Sequence, residues 1–297
     1  MIIESIDDLE TALRDRQYVA DRGLTTSIFL ALKLNKPLFL EGEAGVGKTE
    51  VAKVLSDMYG AELIRLQCYE GLDVNHAVYE WNYSRQLMHI RLLEARGEDV
   101  THAEAELFGP QFLLQRPLLQ AIQNSHEQPP VLLVDEIDRS DEEFEAYLLE
   151  VLSDFQISIP EIGTIKAERP PIVVVTSNRT REVHDALKRR CLYHWIEYPS
   201  FDKELEIVEA KVPDAPQKLA RQVTTFVQEL RQVDLYKVPG VAETLDWVSA
   251  LVALDRNALD QSVVEDTLGV ILKYRDDLEL IRGDQTARIL DQVDLVE

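Results

Sequence analysis

Three glycines, a lysine and a threonine stand at fixed spacing in the stretch Gly42-Glu-Ala-Gly-Val-Gly-Lys-Thr49. Glycines at this spacing let backbone N–H groups turn inward around phosphate oxygens, and the N-terminus of a following helix adds the positive end of its dipole. The lysine would reach the β- and γ-phosphates of a nucleotide, and the threonine hydroxyl would bind Mg²⁺. We therefore predict a nucleotide-binding loop made of Gly42, Glu43, Ala44, Gly45, Val46, Gly47, Lys48, Thr49 and Glu50.

The segments on either side of this glycine loop have the patterns of a strand and of a helix. A short apolar run, PLFL, precedes the loop. After the loop, apolar residues recur at the helical spacing i, i+3, i+4 and i+7, at Val51, Val54, Leu55 and Met58. A glycine-rich turn that matches the motif by chance is the alternative, and the strand and helix around the loop favour nucleotide binding.

Two acidic residues end a second apolar run, Val131 to Val134, which is typical of a strand buried on both faces of a parallel sheet. A carboxylate at such a strand tip can hold Mg²⁺, and its neighbour can orient and polarise an attacking water. Acidic residues after a strand also serve as solvated turns or helix caps, a role that suits Asp138. We predict Asp135 and Thr49 as metal ligands and Glu136 as a catalytic residue.

Another apolar run, Ile172 to Val175, leads to Asn178, whose amide could hydrogen-bond the water or the γ-phosphate, or could cap the next helix. Arg189 and Arg190 follow shortly. A guanidinium neutralises charge on a transferring phosphoryl group, and one supplied by another subunit can raise the rate by several orders of magnitude. A solvated or salt-bridged arginine pair is the usual alternative, and position alone leaves the two interpretations even.

Composition restricts the partners and the compartment. The 297 residues contain 31 Lys+Arg and 54 Asp+Glu, a formal net charge of −23 that repels polyanions, so we predict no nucleic-acid partner. The only two cysteines, Cys68 and Cys191, have neither zinc spacing nor a disulfide framework. No secretory signal pattern opens the sequence, and no apolar stretch reaches the roughly 18 residues that span a bilayer. We therefore predict a cytoplasmic protein without a membrane span.

The periodicity of apolar residues divides the chain into an α/β part and a helical part. We predict an α/β nucleotide-binding core over residues 1–199, an irregular insertion within it over about 69–128, and an all-helical domain over residues 200–297. Further elements of the core are predicted as strands at Ala61 to Gln67 and Tyr193 to Tyr198, helices at Ser84 to Arg96, Gln111 to Ser125 and Glu142 to Phe155, and a β-hairpin at Gln156 to Lys166.

The motifs and their order resemble the AAA+ ATPases and, within them, the MoxR group. Gly42 to Thr49 is similar to the Walker A motif, and Val131 to Asp138 is similar to the Walker B motif. Val173 to Asn178 looks like the sensor 1 strand, and Leu187 to Cys191 looks like the arginine-finger segment. The resemblance covers almost the whole chain. It implies a P-loop AAA+ core with a five-stranded parallel sheet, an insertion in the second helix, a β-hairpin before sensor 1 and a helical lid domain.

The resemblance also implies function. It implies an ATPase that uses ATP and Mg²⁺ and forms a homo-oligomer, a hexameric ring in which Arg189 or Arg190 reaches the neighbour's ATP. It further implies a chaperone-like remodeller that activates a metalloenzyme client with a partner containing a von Willebrand factor A domain. Cys68 to Leu87 and Val238 to Trp247 are similar to the MoxR-type branch associated with carbon monoxide dehydrogenase maturation. The second stretch lacks the sensor 2 arginine of many AAA+ lids, which leaves open how the lid senses nucleotide.

Two other classes of function stay open at this point. A small-molecule phosphotransferase built on the same loop would need an acceptor pocket and a mobile, arginine-rich lid, and the C-terminal helices contain no such arginine cluster. A nucleotide-gated scaffold would bind ATP and turn over little. DNA-remodelling ATPases are relatives with the same helix insertion, although the acidic charge disfavours them.

Overall fold

The computed structural model describes residues 3–96, 107–124 and 127–295. The predicted insertion over about 69–128 is therefore described in part, since its charged stretch at residues 97–106 and residues 125–126 lie outside the described residues. In chain order the helices and strands are α1 Ile6–Arg14, α2 Arg22–Leu34, β1 Leu38–Gly42, α3 Lys48–Tyr59, β2 Leu63–Gln67, α4 Val74–Ala77, β3 Tyr79–Trp81, α5 Tyr83–Arg96, β4 Leu113–Gln115, α6 Pro117–Ile122, β5 Val131–Asp135, α7 Glu142–Asp154, β6 Gln156–Ile159, β7 Gly163–Lys166, β8 Ile172–Ser177, α8 Asp185–Arg190, β9 Leu192–Ile196, α9 Phe201–Lys211, α10 Gln217–Leu230, α11 Val241–Ala253, α12 Gln261–Ile271, α13 Arg275–Ile281 and α14 Asp284–Leu295.

A five-stranded sheet with the order β2-β5-β8-β1-β9 forms the centre of the α/β part. β5 pairs in parallel with β2 and β8, and β8 pairs in parallel with β1. All five residues of β1 and of β5 are buried, as their continuous apolar runs predict. The α/β class, the five-stranded parallel sheet and the helical C-terminal region are confirmed. Because the carboxyl ends of parallel strands meet at one sheet edge, the polar residues that follow β5 and β8 come together there.

The strand predicted at Ala61 to Gln67 forms as β2 at the edge of the sheet, and only part of it is buried. Ile64 and Leu66 are buried, whereas Arg65 and Gln67 are exposed. Successive side chains of a strand point to opposite faces of the sheet, so Ile64 and Leu66 share the buried face of β2 and Arg65 and Gln67 share the exposed one. This alternation places two long polar side chains beside the end of β5.

The helix predicted over Gln111 to Ser125 is broken in the structure. Leu113–Gln115 forms β4, which pairs antiparallel with β3, and a helix begins only at Pro117. Proline is accepted in the first turn of a helix but interrupts one in its interior, which explains the break. The predicted hairpin is confirmed as the β6–β7 pair.

The described residues group into two compact units, one within residues 3–6, 23–41 and 49–194, and one within residues 7–22, 42–48 and 195–295. Residues 42–48 of the glycine loop therefore group with the helices that follow the sheet, whereas Thr49 groups with the sheet. That second unit has its own core around Trp247 and Phe226, whose ring centroids lie 5.3 Å apart. Ser200 and Asp260 precede its helices α9 and α12 and cap them through their side chains. The domain boundary after residue 199 stays a prediction.

None of the helices within the described residues combines the length and the hydropathy that crossing a bilayer requires.

Candidate functional site

The glycine loop between β1 and α3 adopts backbone angles that would be strained in a residue with a side chain. Gly45 has φ +78° and Gly47 has φ +92°, in the left-handed region that glycine occupies freely. The Lys48 side chain folds back over the loop, where its Nζ donates to the carbonyl oxygens of Gly42 at 2.9 Å and Glu43 at 2.6 Å. Lys48 is only 6% exposed. The loop thus combines left-handed glycines with a lysine ammonium that is hydrogen-bonded to the loop backbone, and both are features of phosphate-binding loops with this motif.

The N-terminus of α11 packs directly on the glycine loop, within the second unit. The Ala242 N–H donates to the Gly45 carbonyl oxygen at 3.1 Å, and Glu243 Oε2 accepts from the Gly240 N–H at 3.0 Å. A Cβ built on Gly240 would lie 2.7 Å from the Ala44 carbonyl oxygen, so glycine is what permits this approach. The helix therefore reaches the loop through its backbone in the stretch where the sequence has no sensor 2 arginine.

Replacing Gly240 by alanine is expected to weaken ATP binding about tenfold. The Gly240 φ of −86° accepts a Cβ, so the effect comes from overlap with the loop backbone alone. Overpacking of this kind costs about 1–3 kcal/mol, and about 1.4 kcal/mol corresponds to tenfold in affinity. Calorimetric titration with Mg-ATP measures the affinity of the variant. Gly269→Ala is the matched control, because a Cβ there meets no atom within 4 Å. Equal ATP affinities of the two variants would contradict the role of this contact.

The Asp135 carboxylate is almost fully buried and is shared by three side chains. Its Oδ1 accepts from Thr49 Oγ1 at 3.1 Å and from Thr176 Oγ1 at 2.5 Å. Its Oδ2 accepts from Arg65 Nε at 3.1 Å and from Arg65 Nη2 at 2.5 Å. The structure thus brings the two predicted metal ligands, Asp135 and Thr49, within hydrogen-bond distance of each other.

The donor set fits Mg²⁺ rather than a metal held by protein alone. Mg²⁺ keeps several waters and is bound by one or two carboxylates together with substrate phosphates. Asp135 and Thr49 supply one carboxylate and one hydroxyl. Within residues 3–96, 107–124 and 127–295, no group of three or more His, Cys, Asp or Glu side chains is placed to hold a metal ion.

The Glu136 carboxylate lies beside Asn178 and is held from both sides. Asn178 Nδ2 donates to its Oε1 at 3.2 Å, while Gln67 Nε2 and Arg139 Nε donate to Oε2, each at 3.0 Å. The Glu136 backbone is left-handed, with φ 56°, and its N–H donates to the Thr176 hydroxyl at 3.0 Å. A left-handed non-glycine residue costs about 1–3 kcal/mol and is common at functional sites. Its side chain is 28% exposed, so water can reach it.

Asp138 supports the Asn178 loop rather than a metal. Its carboxylate accepts from the Asn178 N–H at 3.1 Å, and from the Thr180 N–H at 2.9 Å and hydroxyl at 2.6 Å. Burial opposes ionisation of this group, but the hydrogen bonds from Thr180 and Asn178 together outweigh it and lower the pKa of Asp138. Asp138 is therefore an ionised anchor for the residue that contacts Glu136.

Sequence reasoning missed four residues that hold the two carboxylates, Arg65, Gln67, Arg139 and Thr176. The signal for Arg65 and Gln67 was the alternation of apolar and polar residues along β2. In the structure β2 pairs with β5, and Gln67 lies opposite Asp135. That signal has meaning only once the two strands are known to be neighbours.

The two arginines predicted as alternatives have different environments on α8. Arg190 Nε donates to Ser153 Oγ at 2.6 Å, and its Nη1 donates to the Ala186 carbonyl oxygen at 3.4 Å. Arg189 is exposed, and no described residue forms a hydrogen bond or ion pair with its side chain. Within the described chain, neither arginine is hydrogen-bonded to the carboxylates of its own site. Arg189 is thus the arginine available to a neighbouring molecule.

Both cysteines are buried and free. Burial raises the pKa of Cys68 and of Cys191 to about 12, so both thiols stay protonated near neutral pH. Neither has the thiolate character of a reactive or metal-binding cysteine.

Comparison with known proteins identifies one family. The profile of the family described as AAA domain (dynein-related subfamily) matches residues 37–191. An uncharacterized protein of Staphylococcus aureus is 24% identical over 228 residues, which cover 74% of this chain and 77% of that protein. One of Staphylococcus epidermidis is 22% identical over 229 residues, 75% of this chain and 78% of that protein. A RuvB mutant of Thermotoga maritima is 15% identical and covers 93% of this chain and 73% of its own, with a TM-score of 0.49.

Proposed function

The chain belongs to the AAA domain family, dynein-related subfamily, and on this premise we propose that it hydrolyses ATP to ADP and phosphate. The observation that carries the proposal is the Glu136 carboxylate, next to the buried Asp135 and held by Gln67 and Asn178. A fixed, water-accessible carboxylate beside a metal-binding carboxylate is what water activation in phosphoryl transfer requires.

The predicted binding residues and catalytic residues have different roles in this proposal. The loop amides and Lys48 bind the β- and γ-phosphates, and Thr49, the next residue in the chain, binds Mg²⁺ together with Asp135. When bound, Mg²⁺ neutralises charge on the phosphate oxygens. Glu136 accepts the proton of the attacking water, and Asn178 holds the Glu136 carboxylate and orients that water.

We further propose that the site is completed by a neighbouring subunit in a homo-oligomeric, hexameric ring. Its support is the exposed Arg189, which no described residue of its own chain binds. A head-to-tail interface repeated around a closed ring would bring this guanidinium to the next subunit's γ-phosphate. The role proposed for Arg190 is to hold α8 in place through Ser153.

The Glu136→Gln variant tests the proposal. We expect hydrolysis to fall about 10²- to 10⁴-fold, the usual contribution of a general base, while ATP affinity is retained. Phosphate release and ATP binding are measured on the same preparation. Glu143→Gln, an exposed change at the start of α7, is the control and should hydrolyse ATP normally. Hydrolysis by Glu136→Gln at the wild-type rate would sink the proposal.

The structure gives no support to a phosphotransferase with a mobile arginine lid. Arg231, in the helical unit, is buried and bound to Glu204 through Nη1 at 2.6 Å and Nη2 at 2.7 Å. Its guanidinium also stacks 4.9 Å from the Tyr198 ring centroid. Transfer of phosphate to a metabolite instead of water would identify that class in the same assay.

As the biological role we propose a cytoplasmic MoxR-type chaperone that remodels and activates a metalloenzyme client together with a von Willebrand factor A domain partner. Support comes from the similarity of Cys68 to Leu87 and Val238 to Trp247 to that group. Affinity purification of tagged Glu136→Gln with ATP should retain the partner, because blocked hydrolysis prolongs the ATP-bound complex. Recovery of no protein with such a domain would count against this role.

A further inference from the structure

A cluster of polar side chains surrounds the buried carboxylate of Glu41, the residue before the glycine loop. Lys188 Nζ lies 3.2 and 3.3 Å from the two carboxylate oxygens, and the Tyr193 hydroxyl donates to Oε2 at 2.8 Å. The Ser177 hydroxyl donates to Oε1 at 3.4 Å. We call these four residues the Glu41 cluster. The mechanism proposed above uses none of them.

Three functional segments are joined to the Glu41 cluster by the residue that precedes each of them in the chain. Glu41 precedes the glycine loop, Ser177 precedes Asn178, and Lys188 precedes Arg189. Glu41 and Ser177 also face each other in the β1–β8 register. The cluster therefore connects the strand before the phosphate loop, the strand that ends at Asn178 and the helix that presents the arginine.

Lys188 is held more firmly than an ordinary surface lysine. Its side chain is 21% exposed and that of Glu41 is 4% exposed. The ammonium also lies 5.7 Å from the Phe39 ring centroid and 5.9 Å from that of Tyr193. Ion pairs gain strength when they are shielded from water, and cation–π contacts add to them.

This anchoring fixes the rotation of the last turn of α8. Consecutive helical side chains point about 100° apart, so a lysine fixed on β1 sets the direction of the residue that follows it. Arg190, one position further, is tied to Ser153 of α7. Arg189 thus lies between two residues whose side chains are anchored, while its own side chain has no partner among the described residues.

We propose that Glu41 and Lys188 are positioning residues that orient Arg189 toward the neighbouring subunit's nucleotide. The inference rests on the proposed function, in which Arg189 acts in trans. The group that Arg189 would contact is the γ-phosphate of an ATP bound to a second copy of this chain.

The test is the double variant Glu41→Gln/Lys188→Met, which removes both charges together and leaves neither buried without its partner. We expect unchanged ATP affinity and a kcat at least about tenfold lower, since Arg189 remains but is misdirected. Mixing with Glu136→Gln subunits, whose arginines are intact, should restore hydrolysis at the double variant's own sites. The control Arg275→Met/Glu279→Gln neutralises an exposed pair and should have the wild-type kcat.

Arg189→Ala, mixed in the same way, separates the two proposals. Failure of Arg189→Ala to recover with Glu136→Gln subunits would overturn the action in trans, and this inference with it. If mixing restores hydrolysis by Arg189→Ala, two results would overturn the positioning role alone. One is a wild-type kcat of the double variant, and the other is a loss of kcat in the double variant that Glu136→Gln subunits do not restore. If the double variant does not fold, Tyr193→Phe decides: a lower kcat that Glu136→Gln subunits restore supports the inference, and a wild-type kcat overturns it.

Discussion

The Arg189→Ala variant is expected to bind ATP normally and to hydrolyse it about 10³-fold more slowly than the wild type. An arginine that stabilises the transferring phosphoryl group contributes about 10³- to 10⁵-fold in kcat. Arg189 is exposed on the last turn of α8, and no described residue forms a hydrogen bond or ion pair with it, so its removal costs little stability. The loss should therefore appear in kcat and not in the melting temperature.

Arg190→Ala provides the comparison. It removes the hydrogen bond to Ser153 and should lower the free energy of unfolding by about 1 kcal/mol. We expect its kcat to stay within about tenfold of the wild type, because the guanidinium is used inside its own chain. Steady-state phosphate release and thermal unfolding of both variants decide the assignment. A larger loss of kcat in Arg190→Ala than in Arg189→Ala would reverse it.

The Lys48→Met variant is expected to lose measurable ATP binding. The methionine keeps the length of the side chain but removes the ammonium that donates to the loop carbonyls. Charge-assisted hydrogen bonds contribute about 1.5–3 kcal/mol each, so two bonds to phosphate correspond to about 10²- to 10⁴-fold in affinity. Equilibrium binding of a fluorescent ATP analogue measures the loss.

Lys53→Met is the matched control on the same helix. Lys53 is 57% exposed and pairs with Glu50 on the surface of α3, so its loss should change ATP affinity less than about twofold. Wild-type binding by a folded Lys48→Met protein would contradict the phosphate-binding role of the loop.

The parts of this site that lie within one chain segment are predictable from the sequence. The buried strand β5 and the polar residues after it follow from a continuous apolar run, because such a run has a stable place only between two neighbouring strands. The glycine loop is equally local, since its spacing determines the backbone angles that Gly45 and Gly47 adopt.

The residues that complete the site depend on neighbours distant in sequence. Gln67 contacts Glu136 because β2 lies next to β5, an order that the pattern of β2 alone does not contain. The choice between Arg189 and Arg190 depends on Ser153, which α7 supplies. The contact of Gly240 with the glycine loop likewise joins residues that are distant in sequence.

The most direct test of the central claim, a nucleotide site completed by the neighbouring subunit, is the rate of phosphate release by an equimolar mixture of Arg189→Ala and Glu136→Gln subunits. Each variant alone is expected to be nearly inactive. In a randomly mixed ring, about a quarter of the interfaces join an intact Glu136 to an intact Arg189 of the next subunit, so we predict roughly a quarter of the wild-type rate. A mixture no more active than the two variants measured separately would contradict the claim.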